Sequence, residues 1–395
     1  MTPELRFPGF EGEWAELQGR DAFSQGVDRG NPSLPVWSVT MDRGLVPRNT
    51  LDRHMEADAA WDQNRRAAPG DLVYNTMRMW QGAVGEATED CMLSPAYVVL
   101  RPTDGAHPSF FLRMFETSRA LHDLGRYSHG LTSDRLRLYY DDFGDIPFSA
   151  PGVEEQRKIA AFLDAVGERI ALAERRRYGL VDYKRGLMQA LFTRRLRFRR
   201  DDGSAFPEWT EHRLGELVSF LKGRGVGKDD IALDGAQACI RYGEIYTTYG
   251  ERITQIASRT EASPDLLLSE AGDIIMPSSG EDAGDMARAC AVMLGDVALG
   301  GDIIVLRGAA VPVFLAHYLT HARRGEIARL GQGNSVVHIY AVHLGEIEVD
   351  LPHPDEQAKI ADALIALDDR IRAANARLNA LLEWRRGLLQ KMFVR

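Results

Sequence analysis

The chain has 395 residues, of which 45% are apolar and 27% charged, and its formal net charge is −9. This length allows two or three domains, and the composition is typical of a soluble globular protein. No run approaches the roughly 18 uninterrupted apolar residues of a membrane span, and the N-terminus lacks a signal-peptide pattern, so we expect a cytoplasmic protein. The cysteines Cys91, Cys239 and Cys290 are isolated and predict reduced thiols.

Charge is distributed unevenly along the chain. Residues 151–200 hold 13 Lys and Arg against 6 Asp and Glu, whereas residues 1–150 hold 15 against 22 and residues 201–350 hold 12 against 23. Bulk charge therefore does not draw nucleic acid to either acidic block. A nucleic-acid site in these blocks requires a local basic face.

The segment 151–200 predicts one long helix that begins after Pro151. Its apolar residues recur at alternating steps of four and three, which is the heptad pattern of a coiled coil. The predicted seam consists of Ile159, Leu163, Val166, Ile170, Ala173, Arg177, Leu180, Lys184, Leu187 and Leu191.

The segment 351–395 repeats this pattern 201 positions later. Between residues 155–192 and 356–393, 17 of 38 positions are identical without a gap, so the chain contains an internal repeat. Arg177, Lys184 and Arg385 lie at seam positions, where a charge must snorkel, pair or contact another surface. The second seam consists of Ile360, Leu364, Leu367, Ile371, Ala374, Leu378, Leu381, Arg385, Leu388 and Met392.

Each repeat has the same order of parts. A short opening motif, "LRFPGFEGEW" from Leu5 or "LRFRRDDGSAFPEW" from Leu196, precedes a mixed block with strand-like runs and then the long helix. We therefore predict globular domains at 1–150 and 201–350 and long helices at 151–200 and 351–395. Because a compact second block would bring the helix ends together, the helices should run antiparallel, with a pseudo-two-fold repeat.

The two opening motifs, the two "EQ.KIA" helix starts and the endings "RGLMQALF" and "RGLLQKMF" resemble the DNA-specificity subunit of type I restriction-modification systems. The resemblance covers essentially the whole chain. It implies an α/β (α+β) fold with two target-recognition domains and a coiled-coil spacer. It also implies a non-catalytic subunit that reads a bipartite, asymmetric site in double-stranded DNA.

The same resemblance implies partner subunits. Two methyltransferase subunits would dock on the helices, and motor-nuclease subunits would be added for cleavage. S-adenosylmethionine, ATP and Mg would bind the partners, with no cofactor in this chain. The mid and distal helix surface is the candidate docking site, and we expect it to expose Phe162, Tyr183 and Trp384.

Candidate DNA-binding residues lie on segments broken by Gly and Pro. Arg forks can read guanine, Asn and Gln can read adenine, and Lys and Arg neutralise phosphate. Trp80, Tyr246 and Tyr249 lie beside them as aromatic neighbours. The candidates are Arg43, Arg48, Asn75, Arg78 and Gln81 in the first block, and Lys222, Arg224, Lys228, Arg241, Tyr242, Ser278 and Ser279 in the second. The alternative is that these are ordinary loops with solvated charges.

Other sites are disfavoured by the sequence. "GRGVGKDD" has Asp229 where a phosphate loop needs Ser or Thr, and "HYLTH" has Tyr318 where a zinc protease has Glu, so we expect no metal site at His317 and His321. "PDEQAK" resembles a nuclease fragment, but its counterpart "GVEEQRK" lacks Pro-Asp and indicates a helix start. Neither methyltransferase nor helicase motifs occur.

Three other functions remain open. A fused restriction enzyme would need catalytic motifs, which the sequence lacks. A coiled-coil scaffold that binds protein through its acidic blocks would show no salt-dependent affinity for DNA. A degenerate specificity subunit would bind its partners without directing methylation. The basic run from Arg194 to Arg200 fits either DNA contact or a solvated surface.

Overall fold

The computed structural model describes residues 2–51, 61–132, 134–232, 234–333 and 336–394. Its internal contacts divide the chain into two units, Met1–Arg175 with Ala376–Arg395, and Arg176–Asn375. Both long helices begin in one unit and end in the other. Among the helices of the described residues, none is both long and apolar enough to cross a membrane.

The first unit is built on an antiparallel sheet covered by short helices and by half of each long helix. Two short 3-10 turns, Arg48–Thr50 and Met79–Gln81, connect strands. The elements are β1 (Ala15–Gln18), α1 (Gly19–Ala22), β2 (Phe23–Gly26), β3 (Trp37–Thr40), β4 (Gly44–Pro47), β5 (Arg65–Ala67), β6 (Leu72–Asn75), β7 (Val84–Glu86), β8 (Cys91–Leu93), β9 (Tyr97–Pro102), α2 (Pro108–Met114), α3 (Ser118–Arg126), α4 (Tyr140–Gly144), β10 (Pro147–Ala150) and α5 (Val153–Phe192).

The second unit repeats this plan with a larger sheet. Its elements are β11 (Thr210–Arg213), α6 (Leu214–Leu217), β12 (Ser219–Lys222), β13 (Gln237–Ile240), α7 (Tyr242–Thr247), β14 (Arg252–Ile253), β15 (Ser258–Thr260), β16 (Asp273–Pro277), β17 (Ser279–Gly280), α8 (Ala283–Met286), β18 (Cys290–Val292), β19 (Ala298–Leu299), β20 (Ile303–Arg307), α9 (Pro312–His321), α10 (Arg324–Arg329), β21 (Val337–His338), α11 (Ala341–Gly345), β22 (Glu348–Leu351) and α12 (Pro354–Met392).

The principal sheets have related strand orders. The first unit has β2-β9-β6-β7, and the second has β12-β20-β16-β18-β14. Each has an antiparallel pair inside the sheet, β6 with β9 and β16 with β20. The first and last strands of each block also pair, β1 with β10 and β11 with β22. The predicted α/β fold and internal repeat are confirmed.

The two long helices pair inside each unit. In the first, Ile159 and Leu163 of α5 share a core with Leu388 and Met392 of α12. In the second, Leu191 shares a core with Leu364. Since the start of one helix packs against the end of the other in both cases, the pairing is antiparallel, as predicted.

Every seam position is buried or half-buried, including the three charged ones. The Lys184 ammonium is 2.6 Å from an Asp368 carboxylate oxygen, and the Arg385 guanidinium pairs with Glu116. Arg177 stacks on the Tyr178 ring, with 4.1 Å between the guanidinium carbon and the ring centroid. The three charges therefore pair or stack.

A clamp fixes the start of each long helix, and it explains the shared motifs. The Arg6 guanidinium donates two hydrogen bonds to the Glu155 carboxylate, of 2.7 and 2.8 Å. Arg197 does the same to Glu356, at 3.2 and 2.9 Å. Both Arg residues come from the Leu-Arg-Phe of an opening motif, and both Glu residues are almost fully buried. A carboxylate near a helix N-terminus also interacts favourably with the helix dipole.

The Gln that follows each clamp Glu holds the preceding turn. Gln156 Nε2 donates to the Pro151 carbonyl oxygen over 2.8 Å, and Gln357 Nε2 donates to that of Pro352 over 2.9 Å. The repeated Glu-Gln thus has a structural role in both units. The motif lies at the start of a helix in both units, as predicted.

The first long helix ends earlier than the predicted segment 151–200. It stops at Phe192, because Arg194 takes a positive φ of 61° and turns the chain back. The Arg-rich run beyond it is held by internal contacts rather than left free. Arg194 pairs with Asp350 over 2.6 Å, Arg197 forms its clamp, and Arg200 lies over the Phe206 ring.

All three cysteines are buried free thiols. Burial raises the pKa of Cys91 to about 12 and that of Cys239 to about 11, so both stay protonated at neutral pH. Burial likewise raises the pKa of Cys290 to about 12. These groups are core side chains, not nucleophiles.

Candidate nucleic-acid interface

One end of the first unit's sheet carries three of the candidates. Asn75 is the last residue of β6, and the chain then folds into a closed turn in which the Arg78 amide donates to the Asn75 carbonyl over 3.0 Å. Arg78 and Gln81 are exposed on this turn. The Asn75 side-chain oxygen accepts from the Met77 amide at 3.0 Å, which leaves its NH2 group to donate elsewhere.

A second turn lies beside this one. Arg43 occupies the hairpin turn between β3 and β4, and its side chain is half exposed. Its Nε atom is 3.9 Å from Oδ2 of Asp42. The backbone of Gly44 and Leu45 lies so close to Gly85 of β7 that a side chain at Gly85 would collide with the Leu45 amide. Arg43 is therefore held next to the strand that follows the Arg78 turn.

Arg48 is placed differently from Arg43. It begins the 3-10 turn after β4, is half-buried, and donates its backbone amide to the Val36 carbonyl over 2.9 Å. Its position fits a supporting role better than direct contact with a ligand.

The second unit gathers its candidates around one end of the five-stranded sheet. Lys222 ends β12, and its partner on β20 is Ile304; Pro277 ends β16, and its partner on β20 is Ile303. Lys222 and Ser278 therefore lie at the same sheet end. The Ser278 amide donates to the Asp302 carbonyl over 2.9 Å, which fixes it there.

Glycines bring the basic loop to this sheet end. The Gly223 amide donates to Ile303 O at 2.9 Å and the Arg224 amide to Leu299 O at 2.8 Å. A side chain at Gly223 would collide with the Gly300 carbonyl oxygen. The loop consequently lies flat on the strand connection and presents the exposed Arg224 side chain outward.

Arg241 also lies near this end of the five-stranded sheet. The Gly300 amide donates to the Ile240 carbonyl over 2.9 Å, so Arg241 and Tyr242 begin α7 close to the basic loop. The Arg241 amide donates to the Glu244 carboxylate at 2.8 Å, and its buried side-chain Nε has no hydrogen-bond partner. Tyr242 is exposed.

Two candidates do not belong to this group. Ser279 lies in β17 with only 7% of its surface exposed, and its carbonyl accepts from the Tyr246 hydroxyl at 3.1 Å. Lys228 is exposed but lies on the outer loop, where the Gly227 amide donates to the Asp230 carboxylate over 2.7 Å.

Each sheet end also includes one segment that the sequence did not predict as a DNA contact. The Leu138 amide donates to Thr76 O at 2.9 Å, and the Ile339 amide donates to Ser278 O at 3.0 Å, so equivalent segments lie against equivalent sheet ends. These segments expose two pairs of residues, Arg137 with Tyr139 and His338 with Tyr340. The alternation of exposed polar or aromatic residues with Leu138 or Ile339, just before a short helix, was the available signal.

Comparison with known proteins gives a consistent result. Residues 207–383 match the family model described as the type I restriction modification DNA specificity domain. No curated protein matches the sequence at a significant level.

Two solved structures share the fold across the chain. A crystal structure of the type I restriction-modification S subunit from M. genitalium is 16% identical, with a TM-score of 0.62 and full coverage of both chains. A chain from a study of complex assembly and conformational transition of the type I R-M system is 18% identical, with a TM-score of 0.56, covering 97% of this chain and 98% of that one.

The repeated clamps, the paired long helices and the two sheet ends thus occur in a fold shared with S subunits over the full length. Residues 207–383 thus resemble the type I restriction modification DNA specificity domain.

Proposed function

We propose that this chain is the DNA-recognition subunit of a type I restriction-modification complex and that each unit reads one half of a bipartite, asymmetric site. The observation that carries the proposal is the family match over residues 207–383, combined with a fold shared with S subunits along the whole chain. Methylation and cleavage would be performed by partner subunits that bind S-adenosylmethionine, ATP and Mg. This chain would supply sequence recognition alone.

The sheet ends supply a local basic face in units that are acidic as a whole. In the second unit the face would consist of Lys222, Arg224, Arg241, Tyr242 and Ser278, with the exposed His338 and Tyr340 beside them. Lys and Arg can bind phosphates, and the Arg fork can bind guanine. Because Ser279 is buried, we leave it out of this face.

The first unit would use a different set at the equivalent place. Its face would consist of Arg43, Asn75, Arg78 and Gln81, with Arg137 and Tyr139. Asn and Gln form paired hydrogen bonds with adenine, whereas the second face holds neither residue type among its candidates. Two faces of different chemistry are expected to read two different half-sites.

The long helices would dock the methyltransferase subunits. In the first unit they expose Leu172, Leu382 and Trp384, and in the second unit Tyr178 and Tyr183. Phe162 is half-buried between Phe7 and Trp384, so it supports this surface rather than forming it. Exposed apolar residues on a helix mark a surface that a partner covers.

The proposal predicts that DNA affinity falls steeply with salt and depends on the sheet-end faces. The complex of this chain with its methyltransferase subunit would be titrated with DNA at several salt concentrations. Arg224→Ala should weaken binding by about 1–3 kcal/mol if Arg224 reads a base. Arg213→Ala is the charge-matched control, because Arg213 is exposed, ends β11 and pairs with Glu346.

An equal loss of DNA affinity in Arg224→Ala and Arg213→Ala would contradict the proposal, and so would a DNA affinity that does not change with salt. The second result would instead favour a scaffold that binds protein.

A further inference from the structure

A partly buried polar cluster in the second unit lies outside the candidate DNA face. His317 and His321 are one turn apart on α9, and Glu251 precedes β14. The His321 Nε2 atom is 2.8 Å from Glu251 Oε1, and the His317 Nδ1 atom is 4.0 Å from the same oxygen. One ligand atom from each of the three residues lies within 4.8 Å of the others.

His317 is fully buried, and neither of its ring nitrogens has a hydrogen-bond partner. Buried polar atoms almost always have partners, so an imidazole with two unpaired nitrogens requires an explanation. A metal ion bound to Nδ1 would use its lone pair. The Nε2–H group would then point toward Asp368, whose Oδ2 lies 3.5 Å away.

The surrounding charges suit a bound cation. Two carboxylates, Glu251 and Asp368, face one ammonium, that of Lys184, which is 3.4 Å from the first and 2.6 Å from the second. Asp368 would stand behind His317 as the outer carboxylate that metal-binding histidines commonly have. Lys184 would hold that carboxylate in position.

We propose that Glu251, His317 and His321 form a zinc-binding site, with Glu251 Oε1, His317 Nδ1 and His321 Nε2 as protein ligands and water as the fourth. Tetrahedral zinc with bonds of about 2.0–2.2 Å keeps its ligand atoms roughly 3.3 Å apart, and the distances of 2.8 and 4.0 Å lie on either side of that value. Two imidazoles favour Zn²⁺ over Mg²⁺ or Ca²⁺.

The location gives the site a structural purpose. It joins α9 to the segment before β14, and through Asp368 and Lys184 it reaches α12 and α5 within the same unit. Zinc would therefore tie the globular part of this unit to both of its helices. Spacing alone predicts no metal here, because Glu251 is far from the two histidines in sequence.

Zinc binding by the untagged full chain tests the proposal. Metal would be removed with a chelator, Zn²⁺ added back, and the bound metal counted by elemental analysis after dialysis. We expect one Zn²⁺ per chain and a rise in the thermal unfolding midpoint. His321→Gln and Glu251→Gln should abolish stoichiometric binding, and Asp368→Asn should weaken it about tenfold.

His122→Gln is the matched control, since His122 is exposed on α3 and lies outside the cluster. It should bind zinc as the unchanged chain does. Binding that survives in His321→Gln, or no stoichiometric binding by the unchanged chain, would overturn the proposal. If a variant fails to fold, Co²⁺ added to the unchanged chain decides: the visible spectrum of a tetrahedral complex supports the site, and that of hydrated Co²⁺ refutes it.

Discussion

The two units have the same frame and different surfaces. Clamp, central strand and helix seam recur in both units, with equivalent hydrogen bonds made by equivalent residues. The sheet ends differ: one carries Asn75, Arg78 and Gln81, and the other carries Lys222 and Arg224. We propose that both sets contact DNA. Packing requirements preserve the frame, whereas a surface that reads sequence is free to change with its target.

Substitution of the buried seam leucines should have the largest effect. Leu163 and Leu364 are equivalent in the repeat and almost fully buried. Alanine at either position leaves a cavity and should lower the free energy of unfolding by about 3 kcal/mol. Chemical denaturation of the full chain measures this. We expect the two variants to lose similar amounts of unfolding free energy. A loss under about 1 kcal/mol at one position would show that the two halves of the seam are not equivalent.

Loss of a clamp arginine should have a similar or slightly smaller effect. Arg6→Ala leaves Glu155 buried without its partner, and Arg197→Ala does the same to Glu356. An uncompensated buried carboxylate costs about 3 kcal/mol. The same denaturation experiment applies, with the exposed Arg126→Ala as control. If both variants unfold like the control, the clamp does not fix the helix starts.

Each unit contains a buried Asp that pairs with an Arg, and the hydrogen bonds of the pair are shorter in the second unit than in the first. Arg307 binds Asp273 through two hydrogen bonds of 2.9 and 2.7 Å, whereas Arg101 binds Asp71 through two of 3.4 Å. Each Arg also pairs with a second carboxylate, that of Glu270 or Asp28. Arg307→Ala should cost about 2 kcal/mol and Arg101→Ala about 1 kcal/mol. The reverse order in thermal or chemical unfolding would contradict this reading of the geometry.

The smallest effects are expected from the exposed tyrosines. Tyr139→Ala and Tyr340→Ala remove half-exposed rings, so stability should change by less than about 0.5 kcal/mol. Each should weaken DNA binding by the full complex by about 1 kcal/mol. Fluorescence anisotropy measures the affinity. Unchanged affinity in both variants would remove these segments from the proposed faces.

Much of the frame could be predicted from sequence, because it depends on repetition and periodicity. The seam could be identified from steps of four and three residues, and the antiparallel pairing from chain connectivity. The clamp could not, since nothing in "LRF" indicates that its Arg reaches a Glu about 150 residues away. The end of α5 at Phe192 depends on the positive φ of Arg194, which cannot be predicted from a run of basic residues.

The candidate faces were only partly predictable. Residue chemistry singled out Arg78 and Arg224, but only strand register shows which candidates share a sheet end. The hydroxyl of Ser279 suggests a contact with DNA, but the pairing of β17 with β21 buries the residue. Tyr340 was overlooked because its nearness to Ser278 comes from one hydrogen bond between distant segments.

Methylation mapping by single-molecule sequencing tests the central claim most directly. Three cell lines would be compared. The first expresses the methyltransferase subunit with this chain, and the second expresses it with a variant of this chain in which residues 201–350 are replaced by the equivalent block of another specificity subunit. The third expresses the methyltransferase subunit alone. The account predicts methyl-adenine in one split, non-palindromic motif that requires this chain, with only one half of the motif altered by the exchange. A motif that changes in both halves, or none at all from an assembled complex, would contradict it.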